Sequence, residues 1–238
     1  MTSLANNAVA QIFAIPASDW TVINTRVGEV LAASKIQSYI TPYLAGYPAL
    51  LTSSLLWKSD TFYGLIHMSA SLASYASTAI NNFDNLNQAV KKLINNGLSM
   101  TDAVRLQTTT VLKQLADDTK SMSVQSDTLS DQILHFLNNN EVVDAQIIKN
   151  KDKLGSFWAP LGAYITALEQ AAGVVTGEWR AISDDLDSVM ATTIDVTIPF
   201  IESLNIDAAI ACWQSLQQEA SAFPTMMAGQ DKYWTITT

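Results

Sequence analysis

Apolar residues recur at heptad spacing through one proline-free stretch, and this pattern restricts the fold more than any other feature of the chain. Phe62, Ser69, Ala76, Phe83 and Val90 form one register, and Leu65, Leu72, Ala79, Leu86 and Leu93 form the other, three residues on, through five heptads. Two registers interleaved in this way make an a/d seam, the signature of a helix packed lengthwise on other helices and not of a strand. Pro48 opens the stretch and Asn95-Asn96-Gly97 stops it, so a helix of roughly 65–70 Å is expected at about 1.5 Å per residue. Gly64 weakens that helix by about 1 kcal/mol relative to Ala without disturbing the period. Asp60-Thr61 offers a competing start, which would leave the upstream part as a separate short helix.

A second long helix is expected from Ser99, where Ser99-Met100-Thr101-Asp102 resembles a capping box, to about Asn138. Its seam reads Val104, Thr108, Val111, Leu115, Asp118, Met122, Gln125, Leu129 and Phe136. Asp118 and Gln125 then occupy core-type positions, which implies register selection or a locally wet interface. Two later stripes, Trp179 to Phe200 and Ile206 to Phe223, step by alternating threes and fours and read as amphipathic helices. Pro199 ends or kinks the first; Asn205 caps the second and Pro224 follows it. Near the start, Ser18 or Asp19 caps a helix carrying Val22, Ile23, Val27, Val30, Leu31 and Ile36 until Thr41-Pro42. The expected fold is therefore all-α: an elongated, antiparallel bundle of about five helices, two of them long, with coiled-coil-like heptad packing, forming one domain over 1–238.

Composition removes several function classes. The single cysteine, Cys212, forbids an intrachain disulfide or a multi-thiolate metal site and reads as a packing residue. Residues 1–100 carry five bases against four acids, whereas the remainder carries eight against eighteen, within a net charge of −9. Nucleic acid is excluded as a partner, because phosphate binding needs clustered Lys and Arg, and the same charge predicts repulsion from anionic lipid. His67 and His135 lie on different helices without an ExxH or HExxH context, so no metal site is expected. Nucleophile elbow, P-loop and dinucleotide fingerprint are all missing, so no catalytic residue, cofactor or small-molecule substrate is expected. Asp184, Asp185 and Asp187 read as a solvated acidic face. With no basic residue before Arg26, a cleavable leader is not expected.

One segment departs from the heptad pattern. Residues 157–175 contain a single charge, Glu169, and are interrupted by Pro160 and Gly162. The run is a poor spanning helix. It reads either as an interfacial element meeting membrane through Phe157, Trp158, Leu161, Tyr164, Ile165 and Leu168, or as a buried helix on which Trp and Tyr pack. Lys149, Lys151 and Lys153 just upstream read as a solvated turn or as contacts for lipid head groups. The stretch Leu4, Ala8, Val9, Ile12, Phe13 packs along the bundle or forms a membrane-seeking arm, and the apolar tail from Met226 to Ile236 docks through Trp234.

A short first helix, Pro48 opening a long helix with Trp57 early in it, a second long helix, an uncharged segment, and a return helix with Glu178-Trp179-Arg180 and Asp184-Asp185-Leu186 together resemble the bacterial α-helical pore-forming toxins of the cytolysin A and haemolysin BL type. The resemblance lies in arrangement across most of the chain. It implies a tail bundle with an apolar head at 157–175, a region that in the family enters the bilayer during assembly. The chain is shorter than that pattern and its head is reduced to one broken segment. The resemblance thus implies a non-enzymatic component of a multipart cytotoxin, binding partner helical subunits and lipid bilayer and secreted without a cleavable signal peptide. The alternative is a cytoplasmic accessory or scaffold protein that binds helical partners without entering membranes. Trp179, Trp213 and Trp234 are the partner-binding candidates.

Overall fold

The computed structural model describes residues 13, 15–97, 101–154, 158, 161, 164, 166–168, 170 and 206–234. Among these there is no strand, and the chain is all-α. Helix α1 spans Ala17–Ala33, a 3-10 turn Ser34–Ile36, α2 Gln37–Ile40, α3 Tyr47–Leu56, a π-turn Trp57–Thr61, α4 Phe62–Asn95, α5 Asp102–Lys149, α6 Lys151–Leu154, and α7 Ile206–Met227, followed by a 3-10 turn Gln230–Trp234.

Eight of the ten α4 seam positions are buried, as their spacing requires, and the side chains of Leu86 and Val90 lie outside those described. Phe62, Leu65, Ser69, Leu72, Ala76, Ala79, Phe83 and Leu93 all lie inside the fold. Asp60-Thr61 starts no new helix; the chain stays helical through the π-turn, which accommodates one extra residue. That residue shifts the phase, so Trp57 and Thr61 upstream and Phe62 and Leu65 downstream are all buried. The predicted stop holds, with α4 ending at Asn95 and Gly97 taking φ +62°. Its left-handed backbone returns the Gly97 N–H to the Ile94 carbonyl at 3.0 Å.

On α5 the predicted seam is half right. Thr108, Leu115, Met122, Leu129 and Phe136 are buried, but the partner register is Leu112, Thr119, Ser126, Ile133, Asn140 and Ile147. Asp118 and Gln125 therefore stand outside the core, Asp118 half-buried and Gln125 exposed. The buried register is the more apolar of the two, since the positions one residue earlier read Val111, Asp118, Gln125, Gln132, Asn139 and Gln146; strict alternation of threes and fours from Val104 is what points one residue away from the true face. The helix also runs past Asn138 to Lys149, because Val143 and Ile147 extend the buried stripe and Asn140 turns its side chain back to the Phe136 carbonyl at 2.9 Å. Likewise α7 passes through Pro224, carried by Ala220, Phe223 and Met227 on its buried side, and ends before Gly229 at φ +76°. Helix α1 starts after Pro16, ahead of Ser18 and Asp19, with no side-chain cap. Ile36 is 47% exposed, because the 3-10 turn takes it off the buried stripe and leaves that place to Ile40.

Contacts divide the chain into two compact units, the first comprising 1–13, 68–126 and 174–222, and the second 14–67, 127–173 and 223–238. In the first, Tyr75 of α4 meets α5 through its hydroxyl, 2.7 Å from the Thr119 hydroxyl and 3.2 Å from the Leu115 carbonyl. Its ring takes the edge of Trp213 of α7 at 5.0 Å. Beside this contact an open cleft of about 570 Å³ is lined by Ser71, Ser74 and Thr78 of α4 and Asp118, Ser121 and Gln125 of α5.

In the second unit the core is aromatic. Trp20 packs on Trp57 and Phe223, Trp57 on Phe136, and Phe62 on Trp234, with centroids 4.7–6.4 Å apart. The Trp57 indole N–H donates to Asn24 at 3.1 Å, so a fully buried amide and indole satisfy one another. The tail docks on α1 as expected, seated where Gly28 has no side chain; a Cβ there would fall on the Tyr233 carbonyl oxygen. The antiparallel pairing with α5 is pinned at three heights, by Thr61 to Gln132, Gly46 N–H to Gln146 and Asn150 to the Tyr43 carbonyl, each at 2.9 Å.

Candidate functional site

The described part of 157–175 belongs to the second unit, and a single carboxylate organises its contact with α1 and α5. Asp144 projects from the α5 stripe one residue after Val143 and is buried. Its Oδ1 accepts from Arg26 Nη1 of α1 at 3.1 Å, and its Oδ2 accepts the Leu161 backbone N–H at 2.8 Å. Arg26 is 2% exposed, because it occupies a core-facing position between Ile23 and Val27. Two further groups serve its charge. The Glu29 carboxylate lies 3.4 Å from Nε, and the Trp158 ring lies 5.2 Å below the guanidinium.

Trp158 also packs on Tyr47 of α3 at 6.2 Å, and Tyr47 is held by its own hydroxyl, which donates to the Val30 carbonyl at 2.8 Å. Burial pushes the Tyr47 phenol up to about 12, so it is a neutral donor across the physiological range. Burial raises the Glu29 carboxyl as well, opposed by the Arg26 charge and hydrogen bond. Together these residues form a latch in which one ion pair, one backbone bond and one aromatic ring fasten the segment down.

Trp158, Leu161 and Leu168 are buried in this arrangement, while Tyr164 is 37% exposed. Phe157, Ile165 and Trp179 lie outside the described residues, as do the acidic face at 184–187, Pro199 and Asn205. Trp213 and Trp234 are core side chains, 4% and 3% exposed, packed edge-on against Tyr75 and Phe62. Phe13, at the end of the N-terminal apolar stretch, is buried. His67 and His135 are both exposed, and among the described residues no group of three metal-ligating side chains converges. No described helix is long and apolar enough to cross a membrane.

Arg26, Asp144 and Tyr47 escaped the sequence reading. The available signal was a charge inside an apolar stripe: Arg26 follows Ile23 by three residues, and Asp144 falls between Val143 and Ile147. A charge at such a position requires a partner when buried. Comparison with protein-family models, with curated proteins and with solved structures returns no match.

Proposed function

We propose that the chain is a non-enzymatic component of a multipart α-helical cytotoxin, an elongated antiparallel bundle of about five helices that binds partner helical subunits along its heptad faces. In this reading residues 157–175 are a reduced head that meets the bilayer when partners assemble. The observation that supports it is the latch. A segment with a single charge, carrying Trp158, Leu161 and Leu168, is held down through one carboxylate, Asp144, so an apolar surface is stored rather than displayed. Breaking the Arg26–Asp144 contact and the Leu161 bond would release it, provided the exposed surface found lipid or a partner instead.

A second reading has an observation of its own. Burial of the same three side chains, with Trp158 packed on Tyr47, also suits a permanent core, as expected of an accessory or scaffold protein that binds helical partners without entering membranes. Liposome flotation on neutral phosphatidylcholine separates the two, using wild type beside a Trp158→Ser/Leu161→Ser/Ile165→Ser variant, alone and mixed with candidate helical subunits. Flotation of wild type with partners and its loss in the variant supports the toxin component. Complexes that form but never float support the accessory protein.

A further inference from the structure

Where residues 34–46 meet the end of α5 and α6, in the second unit, the charge of the chain inverts. Lys35, Lys149, Lys151 and Lys153 are exposed there and Asp152 is the one acid within 34–46 and 146–154, a local charge of +3 on a chain of −9. Tyr39 is 71% exposed, more than any other large apolar or aromatic side chain among the described residues, and Ile36 beside it is 47% exposed. Its ring contacts Tyr43 at 6.4 Å, and the Lys153 ammonium lies 5.8 Å from the Tyr43 ring. The loop is fastened to α5 by Asn150 to the Tyr43 carbonyl and by the Gly46 N–H to Gln146, both at 2.9 Å. Tyr39, Tyr43 and Lys153 thus share one braced surface, and Lys35, Lys149 and Lys151 are exposed on the elements that form it.

We propose that this tip is a docking surface for anionic membranes. Exposed Tyr and Ile with flanking Lys are the chemistry of the head-group layer: the ring sits at the polar–apolar boundary, and lysine keeps its ammonium among the phosphates. The depression beside Tyr39 is lined by Gln37, Ser38, Thr41 and Pro42, with no cation or large apolar side chain to anchor an acidic peptide. The net charge predicts repulsion, but charges beyond a Debye length of about 8 Å are largely screened. Glu29 and Glu141 lie six and eight residues from Lys35 and Lys149, about 9 and 12 Å along their helices, and Asp144 is neutralised by Arg26. What an approaching bilayer meets is the local charge. The tip uses none of residues 157–175, so it does not depend on the toxin-component reading.

Flotation of the chain alone tests it, on vesicles of about one-third phosphatidylglycerol in phosphatidylcholine and on phosphatidylcholine by itself. Wild type is expected to bind the anionic vesicles at least about tenfold more tightly, with affinity falling as salt is raised. The Lys35→Gln/Lys149→Gln/Lys151→Gln/Lys153→Gln variant loses about 100-fold or more, at roughly fivefold per lysine. Tyr39→Ser loses severalfold, and Lys120→Gln, on the exposed side of α5 in the first unit, loses nothing. All of these substitutions are at exposed positions, and an unchanged melting profile confirms that each variant is folded. Equal binding to both vesicles, binding to neither, wild-type binding by the quadruple variant, or binding of poly-glutamate without vesicles would each overturn the proposal. So would loss of anionic binding in the Trp158→Ser/Leu161→Ser/Ile165→Ser variant with the lysines intact, which would instead place the contact in residues 157–175.

Discussion

Asp144→Ala is the most informative single change, because one carboxylate serves two partners. It leaves Arg26, 2% exposed, without its closest anion. Stranding a buried charge costs about 3–5 kcal/mol, reduced here because Glu29 still lies 3.4 Å away. It also orphans the Leu161 N–H, worth about 1–3 kcal/mol if that group stays dry. Undocking the segment relieves this second penalty at the expense of exposing Trp158 and Leu161, about 3–5 kcal/mol of apolar burial. These limits converge on a net loss of about 3–4 kcal/mol, or a fall of roughly 6–15 °C in the melting transition of the 238-residue chain. Thermal denaturation gives the magnitude, and hydrogen exchange at the Leu161 amide reports undocking directly. Removing both charges with Arg26→Met/Asp144→Leu should recover at least half of the loss, since an apolar pair of similar size replaces a buried ion pair at little cost. A loss below about 1 kcal/mol for Asp144→Ala, or a double variant no more stable than the single, would refute the latch.

Other perturbations probe the packing elsewhere. Gly28→Ala gains about 1 kcal/mol of helix propensity yet places a Cβ on the Tyr233 carbonyl, so the tail should lift; the net loss is about 2–3 kcal/mol. Trp234→Ala added to it should cost little more by melting, and additive effects would show that Gly28 does not act through the tail. The α5 register is tested by contrast: Ser126→Leu should overpack and lose about 1–3 kcal/mol, whereas Asp118→Leu, at the open cleft, should stay within about 1 kcal/mol. The reverse order in urea denaturation would favour the register through Asp118. In alkali, the folded Tyr47 phenol titrates near 12, above its ordinary value of 10, so the unfolded chain releases that proton first. Stability is whole below about pH 10 and falls as pH rises toward 12; Tyr47 contributes up to about 1.4 kcal/mol per unit, which Tyr47→Phe should remove, while the Tyr75 phenol, also raised by burial, keeps its own share of the slope.

Legibility in the sequence followed the strength of local signals. The α4 seam was readable at each of its described side chains because every position in it is apolar or small. Gly97 was readable because a left-handed stop selects glycine. Half of the α5 seam was readable, through Leu115, Met122, Leu129 and Phe136; in the other half Leu112, Ile133 and Ile147 alternate with buried Thr119, Ser126 and Asn140, which resemble surface residues until a neighbour supplies their partners. Tyr75 does so for Thr119, and the helix's own Phe136 carbonyl for Asn140. The latch was hidden for a related reason: Arg26 and Asp144 are 118 residues apart, and no spacing rule connects them.

The sequence by itself determined that this chain is helical, where its long helix stops, and that its tail packs through Trp234. These follow from periodicity and from backbone preferences that act within a few residues. Only the tertiary structure decided that α5 buries Thr119, Ser126 and Asn140 within its stripe, that helices α5 and α7 outlast Asn138 and Pro224, and that an isolated arginine and aspartate meet beneath Trp158. Each of those outcomes depends on a contact between residues distant in sequence, where burying one more apolar layer or pairing one more charge outweighs the local preference of the chain.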